Sequence, residues 1–296
     1  LESQTSLGVA VFRALGSQGP PARGGASDPV AASLLPAALG PAVAALARAA
    51  RGRAGAHRAL GRATLGLFDN VVLRTRRIDE LLEGAVARGA AQVVLLGAGL
   101  DARAYRLAGL AGARVFEVDH PATQAAKRRR LAGRAPAARE VRFVAVDFER
   151  ERLPDALVAA GFDAARPSAW VWEGVTMYLS EAARAATLDA LGALAAPASD
   201  ALITYMRPDD VDTTLRRAAC AAATLVGEPL RGFVGAEQFT AELGARGFRV
   251  LEDEGAEAWA RRYWAEAPVG GTWEHLLWAR KAPPDAPPGA PGPERA

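Results

Sequence analysis

Three acids stand at the ends of three successive apolar runs. Asp119 closes "VFEVD" (115–119), Asp147 follows "VAV" (144–146) and Glu173 follows "AWVW" (169–172). Upstream, "QVVLLGAGLDARAYRL" (92–107) runs apolar for five residues and then breaks at Gly97 and Gly99. In a strand-to-helix turn the first glycine makes the bend, and the second removes a Cβ where a ligand would lie. Gly97, Ala98 and Gly99 with Ala102 satisfy Gly-x-Gly-x-x-Ala, a nucleotide-binding fingerprint. Alone, that pattern is also met by plain structural turns. Asp119 lies about 20 residues on, where an acid takes the hydroxyl protons of a ribose; Glu117, on the same strand face, competes for that role. Asp147 can accept from an adenine amino group, with Phe148 supplying a backbone N–H and ring surface. Acids at three neighbouring strand ends repel a pyrophosphate and attract a sulfonium bearing an amino group. The charge balance favours S-adenosylmethionine over NAD.

These residues need a sheet to converge. The runs at 92–96, 114–118, 141–146, 169–173 and 201–206 read as strands, with helices near 102–110, 121–134, 151–161 and 180–196 between them. Such alternation predicts an α/β, doubly wound parallel sheet covered on both faces. Further helices fall near 209–226 and 236–246, and 248–254 with 273–280 reads as a closing pair of strands. Before residue 90 no strand pattern occurs. Ile78, Leu81, Leu82, Ala85 and Val86 mark an amphipathic helix at 74–89. Asp28 and Pro29 suit a helix start. The chain therefore divides into a helical N-terminal part (1–89), a Rossmann-like part (90–281) with a substrate-side insert at 207–272, and a Pro-rich tail (282–296) with a disordered composition.

The single cysteine, Cys220, rules out an intrachain disulfide and a Cys-based zinc site. His57, His120 and His275 have no ligand spacing, and no metal is expected. Cytoplasmic conditions suit this cysteine usage. Residues 29–47 carry no charge, but three prolines and a glycine make them short helices, not a membrane span. A net charge of +3 is weak support for nucleic acid, and no basic–aromatic stripe adds to it.

Taken in order, "VVLLGAGLDARAYRL", "VFEVDHP", "VAVDF" and "WEGVTMYL" resemble the leucine carboxyl methyltransferase family, and "DPVAASLL" (28–35) and "RTR" (74–76) resemble the N-terminal pattern of its bacterial branch. The resemblance spans roughly residues 5–281. It implies a class I methyltransferase fold: a seven-stranded sheet whose last strand is antiparallel, under an N-terminal helical cap. It implies that Arg76 meets the methionine carboxylate of the cofactor and that Gly97 and Gly99 line its amino-acid end. Asp119 would hold the ribose, Asp147 and Phe148 the adenine, and Glu173 the α-amino group.

The substrate side is less defined. Tyr178 can border the methyl site or simply pack. His120 adjoins Asp119 in the crevice. Arg207, at the end of the fifth strand, is a candidate anion clamp, as are Arg261 and Tyr263 in "WARRYW" (259–264). A carboxylate acceptor, on a small specialised metabolite or a peptide, is already ionised at neutral pH and needs no base. A phenol or alcohol would need one, and His120, Tyr178 or Glu173 would have to serve. Methyl-ester formation is thus the leading expectation. An NAD-dependent oxidoreductase and a non-catalytic nucleoside-binding protein are the rivals. Oligomeric state has no signal in the sequence.

Overall fold

All five residues of β1 (Gln92–Leu96) are buried, as expected of a central parallel strand covered on both faces. Val93 and Leu95 enter one apolar core, while Val94 and Leu96 enter the other. This is the two-residue period of a strand. The computed structural model describes residues 4–17, 19, 23, 25, 27–147, 151–210, 213–225, 227–270 and 274–283. β1 pairs in parallel with β2 (Arg114–Asp119) and β4 (Ser168–Trp172). β2 pairs in parallel with β3 (Glu140–Ala145), and β4 with β5 (Asp200–Met206). β7 (Glu274–Lys281) lies antiparallel between β5 and β6 (Phe248–Gly255), completing the order β3-β2-β1-β4-β5-β7-β6. The expected doubly wound, mostly parallel seven-stranded sheet is present. Its order reverses between β1 and β4, so a crevice opens there at the C-terminal strand ends.

Among the described residues, the α-helices α1 (Gln4–Gly16), α2 (Gly40–Ala50), α3 (Ala54–Ala63) and α4 (Leu67–Ala87) precede the sheet. One core joins Leu15 of α1, Leu34, and Leu73 and Ile78 of α4 to Val93, Leu95 and Val171 of the sheet. α1 and α4 touch closely at Gly16, where a Cβ would come within 2.4 Å of the Val72 side chain. The opposite face carries α7 (Leu153–Ala159), α8 (Glu181–Leu194) and α10 (Ala236–Gly244), whose Leu157, Leu188, Leu191 and Phe239 pack with Trp170 and Trp172. The remaining helices are α5 (Arg103–Arg106), α6 (Pro121–Arg130), α9 (Thr213–Leu225) and α11 (Ala256–Tyr263).

Some boundaries differ from the sequence pattern for physical reasons. α4 begins seven residues before Arg74. Asp69 and Asn70 are weak helix formers, but Asp69 pairs with Arg23 at 2.7 Å and Asn70 donates to Glu274 at 2.7 Å. α5 is one turn long; Leu107 is extended, and a short 3-10 helix (Ala108–Leu110) follows. Asp28 does cap a helix start, accepting from Val30 and Ala31 N–H, but that helix is a 3-10 turn (Ala31–Leu34). Among the described residues no helix is long and apolar enough to cross a membrane. The tail beyond residue 283 lies outside the described residues.

His57 illustrates the cost of the helical layer. It is 1% exposed, sits edge-on to Phe68 at 5.4 Å, and neither ring nitrogen has a hydrogen-bond partner. Burial, and then the Arg23 guanidinium, lower its pKa from the ordinary 6.5. The folded chain therefore holds His57 neutral while the unfolded chain can protonate it. Stability is fully present above about pH 6.5 and falls as pH drops below it, by up to about 1.4 kcal/mol per unit for one such group. Melting temperatures from pH 7.5 to 5 should decline more steeply for the wild type than for His57→Phe. Parallel declines would assign the acid sensitivity to other groups.

Candidate active site

The turn after β1 is shaped by what lies over it. Gly97 has φ +64° and Gly99 φ +43°, a region that disfavours side chains. A Cβ on Gly97 would lie 2.5 Å from Val175 Cγ2, and one on Gly99 would lie 2.7 Å from Ser6 Oγ. α1 therefore rests directly on the glycine turn, and Ser6 Oγ accepts from the Leu100 N–H at 3.2 Å. Asp119 accepts from the backbone N–H groups of Gly99 and His120. Burial raises its pKa against the pull of those donors. A carboxylate has lone pairs beyond two such bonds, so Asp119 retains acceptor capacity.

Glu173 follows β4 and receives three guanidiniums. Its Oε1 accepts from Arg13 of α1 at 2.8 Å and from Arg74 of α4 at 2.8 Å, and its Oε2 accepts from Arg103 of α5 at 2.6 Å. Burial alone would raise this carboxyl. The guanidiniums of Arg103, Arg13 and Arg74 together outweigh burial and hold it well below the usual carboxylate range. Arg103 also bonds Asp101 and Asp79, Arg106 joins Asp79 to Asp28, and Arg74 also donates to Glu274. Asp101 and Arg103 form the local pair that their spacing suggests. The unopposed negative crevice expected from three strand-end acids is therefore softened at Glu173, where arginine outnumbers it.

These groups line a cavity of about 720 Å³, within the usual range for small-molecule sites. Gly97, Ala98, Gly99, Asp119, His120, Asp147, Glu173 and Tyr178 all line it. Phe148 lies outside the described residues. Five expectations need correction. Arg76 does not line the cavity; its guanidinium lies 4.3 Å over the Tyr263 ring. Two residues apart on a helix means nearly opposite faces, and Arg74 is the arginine that faces in. Tyr263 is occupied by that stack and by a bond to Glu80, away from the cavity. Arg261 is exposed on α11. Arg207 turns to β6, pairing with Asp253 at 2.5 Å and donating to Tyr205 Oη at 3.0 Å. Glu117 is not a ribose ligand either; it is sealed in a buried pair with Lys127 at 2.6 Å.

The cavity also has members that sequence reading did not single out: Arg13, Arg74, Glu228 and Glu274. Glu228 accepts from the N–H groups of Gln4 and Thr5, so it caps α1 over the site. None of the three candidate proton acceptors is set for that work; Glu173 is held by three guanidiniums. His120 Nδ1 accepts from the Ala122 N–H at 3.2 Å, capping α6. Burial raises the Tyr178 hydroxyl, whose oxygen lies 3.4 Å from Thr5 Oγ1. Among the described residues no cluster of three or more His, Cys, Asp or Glu could hold a metal ion.

The chain is similar to known proteins in sequence and in fold. The sequence profile described as "Leucine carboxyl methyltransferase" matches residues 6–192. A Mycolicibacterium paratuberculosis relative, by its name a candidate S-adenosyl-L-methionine-dependent methyltransferase, is 40% identical over 217 residues, covering 73% of this chain and 70% of the relative. A Streptomyces coelicolor relative of the same description is 48% identical over 142 residues, covering 48% of this chain and half of its own length. Two solved structures share the fold. A methyltransferase candidate from Thermobifida fusca has a TM-score of 0.57 at 18% identity, covering 93% of this chain and 94% of its own. A DUF574 family protein from Streptomyces avermitilis has a TM-score of 0.58 at 15% identity, covering 93% and 97%. The chain belongs to the leucine carboxyl methyltransferase family.

Proposed function

We propose that this chain, an S-adenosylmethionine-dependent methyltransferase by family, places the methyl group on a carboxylate oxygen of a small organic acid or peptide, forming a methyl ester. The observation that carries the reading is the cavity at the sheet's order reversal, where a glycine turn, Asp119, Asp147 and Glu173 meet under α1. These residues fit the cofactor. The glycine turn admits a close-lying chain, Asp119 has acceptor capacity for ribose hydroxyls, and Asp147 stands where an adenine amino group would be met. Arg13 and Arg74, which face the cavity beside Glu173, take over from Arg76 as the cations for a methionine carboxylate. Glu173 sits among them as the acceptor for the α-amino group.

When bound, S-adenosylmethionine supplies an electrophilic methyl group on a sulfonium. The chain's own residues position and desolvate. α1, held over the turn by Ser6 and Glu228, keeps bulk water from the crevice. Fixing two reactants in this way can contribute about 7–11 kcal/mol. An ionised carboxylate attacks without losing a proton, which suits a site where His120 caps a helix and the Tyr178 hydroxyl is harder to ionise than usual.

Calorimetric titration tests the cofactor assignment. Asp119→Asn should weaken S-adenosylmethionine binding about ten- to a hundredfold, as expected for hydrogen bonds to a charged group. Arg76→Ala should leave affinity unchanged, and NADH should not bind. NADH binding, or an indifferent Asp119→Asn, would overturn the assignment.

The acceptor assignment is tested by the pH profile and the product. With a carboxylate acceptor the rate should be flat from about pH 6 to 9, because such acids ionise near pH 4. The product should release methanol in mild base. A rate rising toward the phenol pKa near 10, with a base-stable ether as product, would assign a hydroxyl acceptor instead.

A further inference from the structure

The cavity has two unlike halves, and sheet order separates them. Over β3, β2 and β1 lie Asp147, Asp119 and the glycine turn. Over β4 and β5 lie Met177, Leu179 and Met206, faced by Phe12 of α1 and by Leu67 and Val71 of α4. The chain has two methionines, and both are in this wall. Methionine is unbranched and polarizable, so it adapts to flat or irregular apolar bodies. Most polar groups of this half are engaged within the protein: Tyr178 lies by Thr5, Glu228 caps α1, and Glu274 is bonded through one oxygen by Asn70 and Arg74, its other oxygen buried without a hydrogen-bond partner among the described residues.

A route leads in. Leu67, Val71 and Arg74 recur at i, i+4 and i+7, one face of α4, and run from outside to Glu173. Leu67 lines the cavity and is still 54% exposed. Two residues earlier, Leu65 is 80% exposed with φ +50°. A large apolar side chain is thus held in water, and in an unfavourable backbone region, two residues before the cavity-lining Leu67.

We infer that the methyl acceptor is a small free acid with an apolar body, aliphatic or aromatic, and not the C-terminus of a peptide. It enters past Leu67 and packs on the Met177–Met206 wall. A peptide end would bring several amide N–H and C=O groups against a mainly apolar wall with few partners to offer, and such burial is penalised. The inference rests on the carboxyl reading only for the identity of the methylated group.

The test uses the full chain saturated with S-adenosylhomocysteine for calorimetric binding, and S-adenosylmethionine for turnover. The probes are acetate, hexanoate, 2-naphthylacetate, 2-naphthol and a tripeptide ending in leucine. Binding and kcat/KM should rise at least about tenfold from acetate to the naphthyl acid, as added apolar area enters the wall, and the tripeptide should do neither. Met206→Glu should cut naphthylacetate binding at least about tenfold without altering S-adenosylhomocysteine affinity, and Met206→Leu should restore it. A tripeptide that binds as well as naphthylacetate overturns the inference, as does a panel in which no apolar member binds. Turnover of 2-naphthol with bound but unreacted naphthylacetate would sink the carboxyl reading and leave the apolar acceptor site standing.

Discussion

One buried carboxylate ties the molecule together. Glu173 receives guanidiniums from α1, α4 and α5, and through Arg103 and Arg106 the same ionic chain reaches Asp28 at the edge of the helical layer. Charges this deep tolerate poor pairing badly; removing one partner of a buried pair typically costs about 3–5 kcal/mol. Apolar packing holds α1 and α4 against the sheet, but it is indifferent to small rotations. The arginines are not, because each must end at an acid. The ion network therefore decides which helix faces look into the cavity, and so which side chains a ligand meets.

That dependence explains what the sequence discloses. The strands are legible because valine and leucine runs end in glycine or acid, and the sheet's topology carries each terminal acid to one crevice. Asp119, Asp147 and Glu173 follow from local pattern plus topology. Arg13, Arg74 and Glu274 do not, because their partners lie 160, 99 and 200 residues away and nothing beside them in sequence marks the pairing. In "RTR" the pattern supplies two arginines on opposing helix faces, and only the packing of α4 selects Arg74. Arg207 shows the same limit at a strand end: its position is right, but Asp253 on β6 draws the side chain outward.

The cavity is built as two solvents side by side. The half over β1–β3 offers backbone donors and carboxylates, which can replace the hydration of a charged ligand. Past Glu173 and its arginines, the lining over β4 and β5 offers mostly methyl, thioether and ring surface, which removes water and replaces little of it. A reaction in which opposite charges meet and vanish is favoured at such a boundary, because the charged reactants lose more by desolvation than the neutral products. α1 closes both halves at once, touching the glycine turn through Ser6 and the apolar half through Phe12.

The hairpin of β6 and β7 has a consequence for the order of assembly. Glu274 opens β7, the last strand among the described residues, yet it bonds Arg74 and Asn70 on α4, made about 200 residues earlier. β7 also inserts between β5 and β6, not at an edge. A chain carrying the glycine turn and all three strand-end acids but not yet β7 therefore still has an open wall beside β5, and its Arg74 has Glu173 but not Glu274 to pair with. The pocket is complete only when β7 occupies its place between β5 and β6. Until then the growing polypeptide exposes a half-built crevice that it must protect from its neighbours.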